Sequence, residues 1–383
     1  MLLPKGFEVE MYTGTPEGEI VGLSDRIVAD LDRFSREPDK RNVEYTTAPL
    51  CSYDQLLCEL VRPRQILRDY LHRLGSYTLV PGSTLSLGDS GQFFRSDPNN
   101  PYHDFIERSY GSTVVTASVH INVGIGDLEV LMRANRLIRV EAPLYLALSA
   151  SSPFLDGKVT GDDSTRWQVF PQVPEEVPLF DSHGHFVRWT EEQLALGTMQ
   201  NVRHLWSSVR PNGDRRPYNL NRLELRICDL IADPIDLLAV TALLEARIWQ
   251  TILDPSLDPL ASSRLPENTR AEALLELTRD NERAVAKDSL DATLRHWEDG
   301  REILARDWIE QMYQTVLPTA KERGIRCFLS PIRQILREGN PAQQWRRACE
   351  NGSSPREQIV GAIEAEIRRE RELEDKLCRL LVA

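Results

Sequence analysis

Gly6-Phe7-Glu8-Val9-Glu10-Met11-Tyr12 alternates side chains, with Phe7, Val9 and Met11 on one side and Glu8, Glu10 and Tyr12 on the other. A period of two marks a strand, not a helix. Glu8 and Glu10 then project from one face, about 7 Å apart by strand rise. Two carboxylates that close repel unless one takes a proton or a cation lies between them. A hard divalent cation such as Mg²⁺ takes oxygen ligands and usually holds substrate phosphates too. An edge strand with two solvated acids fits the stretch equally well, so the rest of the chain has to decide.

Three later stretches read the same way. Asn42 to Pro49 is a strand with Glu44 as a lone acid, which by itself reads as a surface residue. Val114 to Gly124 is the strongest strand signal, with Ser118, His120 and Asn122 on one face and Val119, Ile121 and Val123 on the other. A polar face around a histidine favours a ligand over a core residue. Leu223 to Asp229 puts Glu224 and Arg226 on one face. That pair is either a cross-strand ion pair or a metal ligand beside a phosphate clamp, since arginine grips phosphate through a planar fork. Residues 12–23 read as a hairpin completing the first strand. Ser24 is placed to cap a helix carrying Ile27, Val28, Leu31 and Phe34.

Between the strands, Ser52 and Gln55 form a capping box for a helix with Leu56, Leu57, Leu60, Leu67, Leu71 and Leu74 in its stripe. Gly75 closes it, and Pro63 should kink it. Leu79 to Gly91 reads as a loop over something. Asp127 caps a helix running through Leu146. The small residues from Leu148 to Phe154 allow a ligand close to the backbone, and Arg166 follows. His183 and His185 are spaced like a metal pair, in a Pro-rich stretch that reads as a flexible surface loop. From Asp233-Pro234 the chain is mostly helical, with Leu290–Leu317 amphipathic. Its tail opens on Ser354, Pro355 and Glu357, and Ile359, Ile363, Ile367, Leu373, Leu377 and Leu380 face the body or a partner.

The chain of 383 residues is 41% hydrophobic and 27% charged, enough for a large core in one or two domains. A net charge of −12 argues against a nucleic-acid binder. No apolar run is long enough to span a bilayer, and the N-terminus lacks the apolar core of a signal peptide. Six scattered cysteines without a CxxC pair fit reduced thiols, so a cytoplasmic protein is expected. GxxxxGK[ST] and HExxH are absent, and Gly124-x-Gly126 lacks a third glycine.

On these residues the chain resembles the glutamate–cysteine ligases of the carboxylate-amine ligase type, in the form found in cyanobacteria. Gly6, Glu8 and Glu10 match G-x-E-x-E, and Glu44 with Thr47 matches E-x-x-T. Ser118 to Gly124 is similar to G-x-H-V-H-V-G. LALSASSPFLDG with Thr160-Gly161, Ser164 and Arg166 is similar to L-A-L-S-A-N-S-P-F-W-x-G…T-G…S-x-R. Trp206, Arg210-Pro211, Leu223-Glu224-Leu225-Arg226 and Asp229 are similar to W…R-P…T-V-E-V-R…D. The match covers roughly residues 6–250. Asn122 stands for the second histidine, Ser151 for asparagine and Leu155 for tryptophan.

The resemblance implies an α+β fold: a curved antiparallel sheet funnel, glutamine-synthetase-like, with helices packed on its outer face. Residues 1–258 would be the catalytic sheet core with helices, and 259–383 a helical C-terminal region packed on the same domain. ATP would enter at one end and the amino acids at the other. Glu8, Glu10, Glu44, His120 and Glu224 would contact Mg²⁺, with Mn²⁺ as a substitute. Arg226 and Arg166 would be catalytic, on phosphate or substrate carboxylate, with Arg210, Ser149 and Asn122 as further substrate or nucleotide contacts. ATP would phosphorylate the γ-carboxylate of L-glutamate and the amine of L-cysteine would displace phosphate, the first step of glutathione synthesis. The partners would be these small molecules, with no nucleic acid and no membrane, in a monomer or homodimer. A ligase with another amine acceptor, and a metal-dependent phosphoesterase on the same carboxylates, are the rival readings. A catalytically silent binding protein fits less well, because Glu8, Glu10, Glu44, Glu224 and Arg226 are all intact.

Overall fold

The computed structural model describes residues 2–378, the last two by backbone alone. Its strands are β1 (Lys5–Gly14), β2 (Phe34–Arg36), β3 (Asn42–Thr46), β4 (Thr78–Val80), β5 (Val119–Gly124), β6 (Phe154–Leu155), β7 (Lys158–Val159), β8 (Val209–Asn212), β9 (Arg222–Leu225), β10 (Thr293–Arg295) and β11 (Glu302–Leu304). Its helices are α1 (Ser24–Asp30), α2 (Tyr53–Leu74), α3 (Pro101–Tyr110), α4 (Leu128–Ser149), α5 (Thr165–Val169), α6 (His183–Leu196), α7 (Pro234–Leu253), α8 (Pro259–Ser262), α9 (Arg270–Asp288), α10 (Ala305–Glu322), α11 (Ser330–Glu338), α12 (Pro341–Glu350) and α13 (Pro355–Leu373).

Seven strands make one antiparallel sheet in the order β2-β3-β1-β5-β9-β8, with β4 pairing the far end of β1. The run is open, with β2 and β8 at its edges. Register aligns the alternation across every strand. Val9 lies opposite Tyr45 and Val119, Phe7 opposite Ile121, and Ile121 opposite Leu225. All of these are buried in one large core. Glu8 lies opposite His120, Glu10 opposite Glu44, and Glu224 opposite both Asn122 and Arg210. A slip of one residue would turn this polar set into the core. Burying unpaired charges costs several kcal/mol each in order of magnitude, so the register is strongly specified.

The apolar face is covered by α4, which lies on β8 and β9, with α7 and then α2 packed beside it. Asp127 caps α4 by accepting the Val130 N–H, and Asp233 caps α7 by accepting the Ile235 N–H. Lys5 at the start of β1 reaches Glu245 of α7 at 2.8 Å, with both side chains fully buried. Behind this layer α9 packs on α4 and α10 on α7, so the core runs on without a break into the C-terminal third. The tail helix α13 has its complete capping box, and Ile359 and Ile363 pack with Tyr12 and Val80 against the far end of β1. Leu377 and Leu380 lie outside the described side chains. No helix among the described residues is long and apolar enough to cross a membrane.

Several local expectations are corrected. The chain after the first strand does fold back, but only over a short antiparallel bridge at Gly14 and Ile20, with the Thr15 N–H on the Glu19 carbonyl and the Val21 N–H on the Thr13 carbonyl at 2.8 Å each; β3 and β5 are the strands that flank β1. Ser24 is the first residue of α1 and makes no capping bond, and Phe34 belongs to β2. The β5 strand begins at Val119, because residues 111–114 form a 3₁₀ turn. α4 runs on to Ser149. His183 and His185 open α6 on the Ser182 cap rather than sitting in a loop. Within 290–317 the amphipathic pattern conceals the β10–β11 hairpin, with helix only from Ala305.

Candidate active site

The polar face of the sheet carries two groups of side chains whose ligand atoms lie within 4.8 Å of one another: Glu8 with His120 and Glu224, and Glu10 with Glu37 and Glu44. They are neighbours because β1 sits between β3 and β5 and presents Glu8 and Glu10 two residues apart. In the first group, Glu8 Oε2 lies 3.0 Å from His120 Nδ1, and Asn122 Nδ2 donates to Glu8 Oε1 at 3.1 Å. Ser118 Oγ donates to Glu10 Oε2 at 2.8 Å and lies 3.2 Å from His120 Nε2, linking the two groups. Thr47, the threonine of the E-x-x-T pattern, accepts the Phe7 N–H and fixes the start of β1.

Glu224 is fully buried and surrounded by donors. Arg210 gives Nε to Oε2 at 2.7 Å and Nη2 to Oε1 at 3.0 Å; Asn212 Nδ2 gives to Oε2 at 2.6 Å and Arg226 Nη1 to Oε1 at 2.6 Å. A carboxylate offers about four lone-pair sites, so Glu224 is saturated. Burial alone would raise its carboxyl, but the charges of Arg210, Arg226 and His120 hold it well below the usual range. Glu8 is also held down: burial and the Glu224 charge push upward, and the His120 hydrogen bond, with the charges of His120 and Arg226, outweighs them.

Glu44 and Glu37 of the second group behave oppositely. Burial, then the Glu8 and Glu10 charges, push the Glu44 carboxyl up to about 8. Burial and the charges of Glu10, Glu44 and Glu8 raise Glu37 well above its ordinary value. Among the described residues neither Glu37 nor Glu44 has a cationic side chain within 4.0 Å, and Glu10 has only His120 at 3.9 Å, which is the condition a divalent cation relieves.

Arg166 and Ser149 stand apart from this face. Arg166 is buried on α5, with Nη1 on the Ile227 carbonyl at 3.0 Å and Nη2 on the Arg226 carbonyl at 3.2 Å. It therefore supports the backbone beneath Arg226. Below it, Asp229 accepts from the Ser151 N–H and from Ser152 and Ser164 Oγ, so the small-residue loop serves a buried carboxylate. Ser149 Oγ returns to the Leu146 carbonyl and lines a separate cavity against α12 and α13. His183 Nε2 meets the Pro217 carbonyl and His185 pairs with Asp181, so the two histidines do not converge.

Glu37 carries no sequence signal as clear as those of the strand residues. It follows β2, where Ser35 lies opposite Glu44, so the β2–β3 turn swings it towards Glu10. The spacing of two acids around a short hairpin was the available clue. That turn is locked by Arg41, which holds Asp39 through Nε and Nη2 at 2.8 Å each and reaches the Asp89 and Gln92 carbonyls of the 81–97 loop. A cavity of about 840 Å³ opens at the start of β1 beside Glu8 and Asn122, walled by Phe7, Ile125 and Trp249.

A family model described as Glutamate-cysteine ligase family 2 matches residues 4–369. A protein of Sorangium cellulosum provisionally named glutamate–cysteine ligase 2 is 31% identical over 228 residues, 59% of this chain and 57% of that protein. One of Rubrobacter xylanophilus, named likewise, is 25% identical over 366 residues, 93% of this chain and 91% of that one. Among solved structures, the glutamate–cysteine ligase of Francisella tularensis in complex with AMP superposes with a TM-score of 0.75 at 12% identity, over 97% of this chain and 89% of that one. A bifunctional glutathione synthetase of Pasteurella multocida gives 0.71 at 14% identity, over 98% of this chain but 53% of that one, so this chain spans about half its length. Identities this low speak to the fold alone.

Proposed function

Since the chain belongs to the Glutamate-cysteine ligase family 2, we propose that it joins the γ-carboxylate of L-glutamate to the amine of L-cysteine, driven by ATP. Ligase character of this type follows from the family. The identity of the two amino acids, the order of steps and the roles of individual residues are the proposed part.

The supporting observation is the pairing of two oxygen-rich trios with an arginine on one sheet face. Glu8, His120 and Glu224 would hold one Mg²⁺, with Glu224 Oε1 becoming available as Arg226 turns to the phosphoryl group, and Glu10, Glu37 and Glu44 would hold another, which suits a hard cation that also takes phosphate oxygens. Bound there, Mg²⁺ supplies charge neutralisation to the polyphosphate, usually the main source of rate acceleration in such chemistry. In the reaction a γ-carboxylate oxygen attacks the γ-phosphorus, the bond to the bridging oxygen breaks, and ADP leaves. The neutral amine nitrogen then attacks the acyl carbon, the carbon–oxygen bond to phosphate breaks, and the proton shed by nitrogen passes to the departing phosphate or to water. Arg226 would bind the transferring phosphoryl group, with Arg166 positioning it through its carbonyl. No protein nucleophile is required. Cys228, next to this strand, is buried with its thiol pushed up to about 12, unfit for that role. Residues 1–258 would carry the chemistry, with 259–383 buttressing the helices behind the sheet.

The test is ADP release from purified protein with Mg²⁺, L-glutamate and a panel of amines. Release that requires both L-glutamate and L-cysteine is expected. Equal release with another amine would move the acceptor, and phosphate release without any amino acid would favour the phosphoesterase.

A further inference from the structure

Arg216 is a cation with no carboxylate within 4.0 Å among the described residues, though the charges of Glu224 and Glu8 reach it from further off. It lies in the connection between β8 and β9, a loop built to hold one shape. Asn212 accepts the Gly213 N–H on Oδ1 at 2.7 Å while its Nδ2 holds Glu224, and its carbonyl takes the Asn221 N–H at 3.0 Å. Tyr218 and Asn219 N–H groups both close on the Arg215 carbonyl. A Cβ at Gly213 would stand 2.0 Å from the Asn219 carbonyl oxygen, so the close approach there needs glycine. The loop is tied outward by His183 to the Pro217 carbonyl and by Tyr218 Oη to Glu191.

In that frame the Arg216 side chain is half-buried, and its Nη1 is shut from solvent without an acceptor. The acids around it are spoken for. Glu224 has its lone pairs filled by Arg210, Asn212 and Arg226, Glu8 is engaged by His120 and Asn122, and Asp214 of the same loop pairs with Arg222 at 3.4 Å. Burial, reinforced by the repulsion of Arg210, lowers the Arg216 guanidinium to about 9. A rigid loop that holds an uncompensated guanidinium beside a site for anionic substrates is shaped for an anion brought from outside.

We propose that Arg216 is a substrate-binding residue that grips an oxyanion, either a phosphate oxygen of the nucleotide or a carboxylate of the amino acid. The assignment rests on the ligase reading for the choice of ligands but is tested without turnover. Binding of MgADP, of inorganic phosphate and of L-glutamate would be measured by calorimetry on the full chain, for wild type, Arg216→Gln and Arg216→Lys, alongside melting of the free proteins. Arg216→Gln is expected to weaken one class of ligand at least tenfold while the free protein melts at or above the wild-type temperature, because an unpaired buried charge has been removed. Loss confined to MgADP and phosphate assigns the oxyanion to the nucleotide, and loss confined to L-glutamate assigns it to the carboxylate. Binding of all three within twofold of wild type, or a lower melting temperature in Arg216→Gln restored by lysine, overturns the proposal. Should wild type bind these ligands yet join glutamate to no amine, the ligase reading falls and the binding data still decide Arg216.

Discussion

Glu10 and Glu44 face each other directly across the β1–β3 ladder, two carboxylates in register on adjacent strands with Glu37 alongside. Like charges placed opposite in a sheet destabilise it by about 0.2–1 kcal/mol. Above about pH 8, where the Glu44 carboxyl gives up its proton, the metal-free fold therefore carries a built-in repulsion on the face proposed to bind Mg²⁺.

Relieving the repulsion has a measurable sign. Above about pH 8, Glu44→Gln keeps the shape and removes one charge, so in chelator the variant should melt above wild type there, by at most about 2–4 °C for the energies above. Mg²⁺ should raise the wild-type melting temperature by mass action and the variant's by less. Turnover should fall by orders of magnitude. A Glu44→Gln protein that melts lower in chelator and responds to Mg²⁺ like wild type would return Glu44 to a structural role.

Acid should act through His204. Its ring is buried among Tyr102, Phe105, Tyr110 and Trp206. Nδ1 accepts the Gln200 N–H at 3.2 Å, so the proton sits on Nε2 and is shared with Tyr110 Oη at 2.9 Å. Burial lowers the ring to about 4. A depressed histidine contributes stability that is fully present above its unfolded value, about 6.5, and is lost as pH falls through that value towards about 4. The flanking carbonyls of Arg203 and Leu205 hold Arg210 Nη1, so the loss bears on the clamp around Glu224. In urea titrations from pH 8 to 5, wild-type stability should decline below about 6.5 with a slope of up to about 1.4 kcal/mol per pH unit from this group. His204→Gln should start lower and run flatter; a parallel slope would remove His204 as the cause.

How much was legible in the sequence depends on the physics of each residue. Glu8, Glu10, His120, Asn122 and Glu224 could be read because strand alternation commits a side chain to a face, and the sheet keeps that commitment. Glu37 could not, since it follows a three-residue strand and reaches the site through the β2–β3 register. Arg166 looked like a substrate clamp because guanidinium chemistry suits one. Its hydrogen bonds go to the carbonyls of residues 226 and 227 and its charge pairs with buried Asp229 at 3.7 Å, packing facts with no signature in spacing. Arg216 and α3 were hidden in polar stretches without periodicity, where tertiary contacts decide the conformation.

Metal loss should separate Glu8 from a solvated edge residue. Glu8 Oε1 and Oε2 serve Asn122 and His120, so Glu8→Gln keeps hydrogen-bonding capacity at both and removes the charge. Turnover is expected to fall by several orders of magnitude with the fold retained by circular dichroism. Near-normal turnover would mean the charge does not hold a cation.

Arg226 and Glu224 raise the sharpest alternative, because the 2.6 Å bond between them is already an ion pair. If pairing were its whole purpose, lysine would serve nearly as well. The surroundings argue otherwise. Arg210 holds Glu224 through two bonds and Asn212 through a third, so Glu224 stays satisfied without Arg226. The Arg226 side chain also keeps 11% of its surface exposed, while that of Glu224 keeps none. A residue whose partner does not depend on it is free to turn its planar fork to a phosphoryl group, a geometry lysine cannot reproduce. Arg226→Lys should therefore melt within about 2–4 °C of wild type, a loss of order 1 kcal/mol or less. Its kcat should drop at least tenfold, about 1.4 kcal/mol or more at the transition state. A large fall in melting temperature with kcat preserved would assign Arg226 to the fold and leave the phosphoryl group to other donors.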